Sequence, residues 1–295
     1  MPTWQGKSKG TKGGYRIFVA ILRNFGVLPA YLLLRIVALY YCLFSYKTAK
    51  PIFYYFNNRL GYSLPKSLIK LYQNYYLFGQ SIIDKVVIMA GIANRFTFHF
   101  DGEENLHKLV SLKRGGLLLS AHIGNWEIAG HLLRRLGTRI NIVMYDGEQE
   151  QIKDYLSAIT GKRNVHVIVI RDDISHIYEI SEAFKNNELV CMHADRFVEG
   201  SKTTSIAFLG EQARFPLGPF ALATIFKVPV SYVFAMKESD FHYHFFASGI
   251  KEYGHLNRNH VKQEMLRDFT AEMETKVRAY PEQWYNYYNF WQEKI

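Results

Sequence analysis

The first 83 residues of this 295-residue chain contain no aspartate or glutamate. They contain eleven lysines and arginines, so this segment carries the excess of basic residues behind the formal net charge of +10. The same segment holds 18 aromatic residues. Basic charge combined with aromatic rings is typical of two surfaces, one that binds nucleic acid and one that contacts a membrane.

Cysteine is scarce, with Cys42 and Cys191 alone. Two cysteines so far apart exclude a C-x-x-C zinc or redox pair and a disulfide framework, which indicates a reducing compartment. A hydrophobic content of 48% and an aromatic content of 16% exclude fibrous and disordered classes. The length fits one large α/β domain with an appendage, or two domains.

An aliphatic run over residues 27–46 indicates that the basic, aromatic segment contacts a membrane and not a nucleic acid. It has a single charge, Arg35, and is just long enough to span a bilayer. Arg35 near the middle and Pro29 near the start both weigh against spanning. We therefore predict contact with membrane lipids and no nucleic-acid partner. A monotopic helix or hairpin is favoured, with a single spanning anchor and buried core helices as the alternatives.

Beyond this run, apolar stretches of strand length alternate with helical patterns, which predicts an α/β fold with a mostly parallel central sheet flanked by helices. We expect an N-terminal membrane-associating helical segment over residues 1–63 and an α/β domain over residues 64–295. The predicted strands are 96–100, 116–121, 139–145, 165–170 and 188–193, followed by a hairpin of 229–236 with 241–247. The predicted helices are 64–92, 102–113, a stretch ending at 136, 148–159, 173–186, 220–226 and 259–279.

The segment from His122 to Glu127 begins where a predicted strand ends, and ligand sites of α/β sheets lie at the carboxyl ends of strands. His122 in the turn and Glu127 in the first helical turn would bring imidazole and carboxylate together, which makes a general base. Asn125 supplies capping chemistry and Trp126 is a candidate wall of an acyl groove. A histidine cap beside an ordinary first-turn glutamate is the structural alternative. No second His or Cys stands at ligand spacing, so no metal site is expected here.

Two further clusters carry weaker signals. Asp195 and Arg196 follow another predicted strand and form either a surface ion pair or a substrate contact. Residues 208–219 are rich in glycine and proline, and Gly210 and Arg214 precede a predicted helix start. That arrangement suits an anion site at a helix N-terminus, or a loop without a ligand.

Taken in order, these blocks resemble the bacterial lipid A late acyltransferases, a branch of the lysophospholipid acyltransferase superfamily. The resemblance covers essentially the whole chain. It rests on the basic N-terminus, H-x-G-N-W-E at 122–127, Asp195, F-L-G-x-x-A-x-F-P-x-G at 208–218, K-V-P-V at 227–230 and P-E-Q-W at 281–284.

The resemblance implies an acyltransferase of lipid A and lipopolysaccharide biosynthesis on the cytoplasmic face of the inner membrane. In that interpretation His122 deprotonates an acceptor hydroxyl, Glu127 orients His122, and the oxygen attacks an acyl thioester directly. Asn125, Trp126, Asp195, Arg196, Gly210 and Arg214 are the expected substrate-binding residues. No cofactor is expected, since acyl-acyl carrier protein or acyl-CoA serves as co-substrate, with the acidic carrier protein favoured as partner.

Two departures from the family pattern keep the acceptor open. Asp195 is followed by Arg196 and Phe197 instead of completing D-x-D, and the segment after Trp284 is aromatic instead of basic. Fewer phosphate contacts leave open an acceptor less anionic than a lipid A precursor, such as an amino-acid lipid, a glycolipid or a polyene pigment alcohol. A lipid hydrolase with the same His-Glu pair and a non-catalytic membrane scaffold are the rival functions. The sequence indicates neither acyl length nor oligomeric state.

Overall fold

The structure is a computed structural model that describes residues 12–89, 91–128, 133–145, 165–171, 173–198, 200–253 and 258–291. Its strands are β1 (Thr97–Asp101), β2 (Gly116–Ser120), β3 (Ile140–Tyr145), β4 (Val165–Ile170), β5 (Leu189–His193), β6 (Thr203–Phe208), β7 (Glu211–Pro216), β8 (Val230–Ser239) and β9 (His242–Ala247). Its longer helices are α1 (Lys12–Phe25), α2 (Val27–Phe44), α3 (Tyr46–Tyr54), α4 (Leu64–Met89), α5 (Glu103–Ser111), α6 (Ser175–Lys185), α7 (Gly218–Phe226) and α8 (Arg258–Ala279). A π-helical turn, Tyr55–Arg59, follows α3, and 3-10 turns lie at Leu133–Leu136 and Pro281–Gln283.

Seven strands form one sheet in the order β1-β9-β8-β2-β5-β3-β4. Every neighbouring pair is parallel except β8 and β9, which form the predicted antiparallel hairpin. Strand β2 lies near the centre and all five of its residues are buried, as expected of a parallel strand covered on both faces. The predicted α/β class with a mostly parallel sheet is confirmed.

One predicted segment differs from the structure. Residues 208–216 were expected as a loop before a helix, but β6 and β7 form a separate antiparallel hairpin there. Leu209 and Gly210 both have positive φ, at 50° and 82°, the backbone that two-residue hairpin turns require. The glycine therefore marks a hairpin turn. The predicted helix over 148–159 lies outside the described residues.

Helix α2 has two apolar faces. Ala30, Tyr31, Leu34 and Ala38 are buried, and Leu34 lies so close to Gly79 of α4 that a Cβ there would meet its Cδ1 at 2.4 Å. The other face leaves large apolar side chains exposed: Leu28, Leu32, Ile36, Leu39 and Leu43. At about 100° per residue these five fall within about 80° of arc. Among the described helices, α2 is the one long and apolar enough to cross a membrane, and 28% of it is buried.

The segment after α2 joins the main core. Ile52, Tyr55 and Phe56 are at most 1% exposed and pack in the same cluster as Leu117 and Leu119 of the central strand. The ring of Tyr55 lies edge-on to Trp284, and its hydroxyl donates to the Pro281 carbonyl at 3.1 Å. The division at residues 63 and 64 stays a prediction, and the packing joins both sides of it in one core.

A buried carboxylate, Asp84 of α4, ties α4 to the sheet. Its Oδ2 lies 2.5 Å from Nζ of Lys237 on β8 and accepts the hydroxyl of Tyr243 on β9. Its Oδ1 accepts the hydroxyl of Tyr31 on α2. The side chains of Asp84 and Lys237 are 0% and 4% exposed. Burial raises the pKa of Asp84 and lowers that of Lys237, so the surrounding donors are needed to keep the pair charged.

Asp84→Ala should reduce the free energy of unfolding by about 3–5 kcal/mol, because it leaves the Lys237 ammonium buried without its counter-ion. The double variant Asp84→Leu with Lys237→Met should be less damaging than Asp84→Ala, since no charge is left unpaired. The measurement is denaturant unfolding followed by circular dichroism. Glu252→Ala is the control, because the Arg114–Glu252 pair is about half exposed and should contribute at most about 1 kcal/mol. A double variant less stable than Asp84→Ala would contradict this account.

Candidate active site

The site is built where β2 and β5 end side by side. Ser120 and His193 are register partners at the last positions of these parallel strands, and the Ala194 N–H donates to the Ser120 carbonyl at 2.9 Å. His122 and Asp195 each follow two residues later. Neighbouring parallel strands end at the same edge of a sheet, so this pairing brings the two side chains together.

His122 and Asp195 make two hydrogen bonds. Nδ1 of His122 lies 2.7 Å from Oδ1 of Asp195, and the His122 backbone N–H donates to Oδ2 at 3.0 Å. The carboxylate is 1% exposed and the imidazole 14% exposed. Burial alone would raise the pKa of Asp195, but the charge and hydrogen bond of His122 and the charge of Arg196 hold it well below its usual range. Ionised Asp195 therefore accepts the Nδ1 proton, and the lone pair of His122 lies on Nε2.

His193 was not among the predicted site residues, yet its ring lies beside His122 with 4.2 Å between ring centroids. The ring of Trp126 also meets His193, edge-on, with 4.7 Å between ring centroids. Burial, and then the charge of His122, lower the pKa of His193 well below its usual range, so the ring is neutral. The signal that points to His193 is its position at the end of a predicted strand, two residues before Asp195.

The turn after His122 is held by backbone hydrogen bonds to β8 and to the C-terminal P-E-Q-W segment. The N–H groups of Gly124 and Asn125 donate to the carbonyls of Gln283 at 2.8 Å and Ala235 at 2.7 Å, and Tyr285 N–H donates to the His122 carbonyl at 3.1 Å. Gly124 has φ +66°, and a Cβ there would meet the Ala235 oxygen at 1.9 Å. This position therefore requires glycine.

The side chains of the block are held by α4. Asn125 is buried and donates through Nδ2 to the Ser81 carbonyl at 3.0 Å and to the Tyr243 hydroxyl at 3.3 Å. Tyr243 in turn donates to Asp84, so the buried carboxylate network reaches the site. Glu127 lies in a helical turn that begins at residue 126, as predicted, and its Oε2 is 2.7 Å from Nζ of Lys85. That Glu127 orients His122 stays a prediction.

The predicted basic residues contact protein groups. Arg196 donates to the Tyr285 carbonyl at 2.6 Å and lies over the ring of Tyr288. Arg214, on β7, donates twice to Oγ1 of Thr203, at 2.7 and 3.0 Å, and lies over the ring of Phe197. Gly210 lies in the β6–β7 turn, within a strand pair instead of at a helix N-terminus. The substrate contacts predicted for these residues stay predictions.

The P-E-Q-W segment takes part in the same hydrogen-bond network. The Gln283 side chain bonds the backbone of Lys237 in both directions, at 2.7 and 2.8 Å. Asn74 of α4 donates to the carbonyls of Glu282 and Trp284 at 2.9 and 3.0 Å. The segment therefore connects α4, β8 and the turn after His122 through hydrogen bonds.

The chain is similar to known acyltransferases. Residues 73–293 match the family model for bacterial lipid A biosynthesis acyltransferases. The chain belongs to this family. The matched range contains His122, Asp195 and the P-E-Q-W segment, so the family expected from the sequence blocks is confirmed.

Two curated relatives are the phosphatidylinositol mannoside acyltransferases of Mycobacterium tuberculosis strains H37Rv and CDC 1551. The chain is 28% and 27% identical to them over 127 residues, which is 41% of this chain and 39% of each relative. The chain thus spans well under half the length of these relatives. Among solved structures, the 1-acyl-sn-glycerophosphate acyltransferase PlsC of Thermotoga maritima aligns with a TM-score of 0.41 and 13% identity, covering 84% of this chain and 96% of that one.

Substitution of His122 and Asp195 tests which groups act at the site. For a general base, His122→Ala should reduce acyl turnover by about 10²–10⁴-fold. Asp195→Asn should also reduce it, because the amide no longer fixes the Nδ1–H tautomer, and adding it to His122→Ala should cause little further loss, since both act through one base. Glu127→Gln, measured alongside, reports whether Glu127 shares this role. Circular dichroism confirms folding, and additive losses in the double variant would contradict the shared role.

Proposed function

We propose that this protein is a membrane-associated acyltransferase that moves a fatty acyl chain from a thioester to a hydroxyl, or an amine, of a lipid or glycolipid. The observation that carries the proposal is the His122–Asp195 pair at the strand ends of a chain that belongs to the lipid A acyltransferase family. A base of this kind accepts a proton from an alcohol as its oxygen attacks a carbonyl carbon.

In the proposed reaction, Nε2 of His122 takes the acceptor proton while the acceptor oxygen bonds to the thioester carbon. Collapse of the tetrahedral intermediate breaks the carbon–sulfur bond, and the imidazolium returns its Nε2 proton to the departing thiolate, which leaves as the thiol. Asp195 holds the imidazole and stabilises the imidazolium that forms. The reaction needs no acyl-enzyme and no metal. Neutral His193 places no positive charge beside His122, so it does not oppose the imidazolium that forms when His122 takes the proton.

The acceptor is proposed to be less anionic than a lipid A precursor. Both predicted guanidinium groups have protein partners, Arg196 with Tyr285 and Arg214 with Thr203, which leaves less of their hydrogen-bonding capacity for phosphates. The mycobacterial relatives are phosphatidylinositol mannoside acyltransferases, which supports a glycolipid acceptor. An amino-acid lipid or a polyene alcohol fits the same chemistry. A lipid A precursor, in lipopolysaccharide biosynthesis, is the alternative acceptor that the family match favours. Lipid mass spectrometry of a deletion strain beside its complemented parent identifies the acceptor.

The donor is proposed to be an acyl-acyl carrier protein, whose acidic surface would be captured by basic residues at the mouth of the site. We expect transfer from the carrier protein to fall as salt rises, through a slower association rate. Arg214→Ala should lower kcat/KM for this donor. Arg114→Ala is the control, since Arg114 lies just before the amino end of β2 and the site lies beyond its carboxyl end. A radiolabelled assay offering carrier-protein and coenzyme A thioesters across a salt series makes the comparison.

Equal use of both donors without salt dependence would contradict the carrier-protein assignment and leave the His122 chemistry untouched.

The same assay separates transfer from hydrolysis. Label appears in the acceptor lipid for a transferase, and in free fatty acid at an equal rate with or without acceptor for a lipid hydrolase using the same residues.

Membrane attachment is proposed to use the exposed apolar face of α2 with the neighbouring face of α4, at the cytoplasmic side of the inner membrane. On α4 the exposed apolar residues include Leu68, Ile69 and Ile82. An apolar helix face that lies open to solvent beside basic residues is typical of interfacial binding to anionic lipid. Deleting the N-terminal segment would also remove Ile52 and Tyr55 from the core, so point substitutions are the better test.

The double variant Leu32→Gln, Ile36→Gln should lose most binding to vesicles of phosphatidylglycerol and phosphatidylethanolamine, because the apolar burial is lost. The matched control is Ile174→Gln, Ile225→Gln. The first pair is 62% and 68% exposed and the control pair 64% and 68%, so only location differs. Flotation at low and high salt separates apolar from electrostatic binding. Equal flotation of both double variants would contradict the assignment of this face.

A further inference from the structure

The outer face of the β1–β9 edge carries a cluster of histidines and carboxylates away from the β2–β5 strand ends. Strand β1 alternates, with Thr97, His99 and Asp101 exposed and the phenylalanines between them packed inward. His99 and His244 are register partners on the parallel strands β1 and β9. The two rings therefore lie side by side, with 4.7 Å between their centroids.

The ligand-type atoms of this cluster converge. Nε2 of His99 lies 3.2 Å from Oδ1 of Asp101, and Nε2 of His244 lies 3.0 Å from Oδ2. Each of the three side chains has one potential metal-ligand atom, and these three atoms lie within 4.8 Å of one another. Ligands at about 2.0–2.1 Å from a tetrahedral Zn²⁺ are separated by about 3.3 Å, so each imidazole already stands at ligand spacing from the Asp101 carboxylate.

The hydrogen bonds around His244 select which of its nitrogens faces the cluster. Nδ1 lies 3.0 Å from Oε1 of Glu238 on β8, and the same oxygen accepts the Tyr280 hydroxyl at 2.7 Å. A proton on Nδ1 places the lone pair on Nε2, facing Asp101. Nε2 is buried and makes no hydrogen bond within the described residues, although the carboxylate is 3.0 Å away. A carboxylate behind a metal-ligating imidazole is the usual supporting arrangement.

One nearby charge opposes cation binding. Lys276 of α8 lies 3.3 Å above the ring of Phe246, which stacks on His244 at 4.0 Å. Burial lowers the pKa of Lys276, and the negative charges of Glu272 and Asp101 oppose that shift. An ammonium at 3.3 Å and a stacked imidazole at 4.0 Å have no room on one face of the ring, so Nζ lies on the face of Phe246 away from His244.

We propose that His99, Asp101 and His244 form a three-ligand site for a first-row divalent cation of the Zn²⁺ class, with Glu238 orienting His244. Two imidazoles and one carboxylate suit Zn²⁺ and its neighbours, and leave positions for water. The bound ion joins β1 to β9, the edge pair of the sheet. Its role is independent of the acyl transfer proposed above.

The test uses the full-length protein, stripped with chelator and titrated with ZnCl₂ by calorimetry, with Co²⁺ absorption as a second readout. One ion should bind per chain and raise the melting temperature. His99→Ala and His244→Ala should each weaken binding at least tenfold, and Glu238→Gln by about 10–100-fold. His99 is 61% exposed, so that variant should fold normally without metal.

His166→Ala is the matched control, because His166 lies on the opposite edge strand, 3.2 Å from Glu179, and should leave affinity unchanged. Failure of the wild-type protein to bind Zn²⁺ saturably would overturn the proposal. Equal affinity of His99→Ala and the wild type would also overturn it, since binding would then belong to scattered surface histidines.

Discussion

The burial of one carboxylate, Asp84, is the constraint on which the rest of the structure depends. A carboxylate with no exposure needs several donors, and it finds them on α2, β8 and β9, in Tyr31, Lys237 and Tyr243. Because these donors come from the N-terminal helices and from the sheet, α4 cannot shift against either without leaving a buried charge unpaired. The N-terminal helices are thereby part of the same packed body as the sheet.

The candidate site inherits its rigidity from this network. Next to Asp84, Lys85 pairs with Glu127, and the Ser81 carbonyl accepts from Asn125. From the opposite side, Gln283 joins the backbone of β8 to the turn after His122. The strand pair β2–β5 supplies Asp195 as the third support. A histidine held from three sides loses little orientational freedom, which is what a positioned base requires.

The sequence predicts the periodic elements well, because buried parallel strands such as 116–120 appear as continuous apolar runs. It also places His122 and Asp195 at strand ends. It does not predict that β2 and β5 are neighbours, since strand order depends on long-range packing and not on local pattern. The Asp195–His122 bond therefore had no sequence signal, and a spacing argument favoured Glu127. The pairing of Asp84 with Lys237 could not be predicted for the same reason, because the two residues are 153 positions apart in the chain. The β6–β7 hairpin was hidden because its Leu-Gly turn and its flanking proline are typical of a loop.

The position of α4 would let a lipid acceptor approach the candidate site from the bilayer. Ile82 faces solvent on the apolar side of this helix, and Lys85, one turn later, holds Glu127 of the His122 block. One helical turn is about 5.4 Å, so the exposed apolar surface of α4 ends about one turn from the lysine that pairs with the His122 block. With this surface against a bilayer, as proposed, a headgroup would reach His122 while its acyl chains stay among other lipids. Desorption of the whole acceptor into water, with its large hydrophobic cost, would not be a step of turnover.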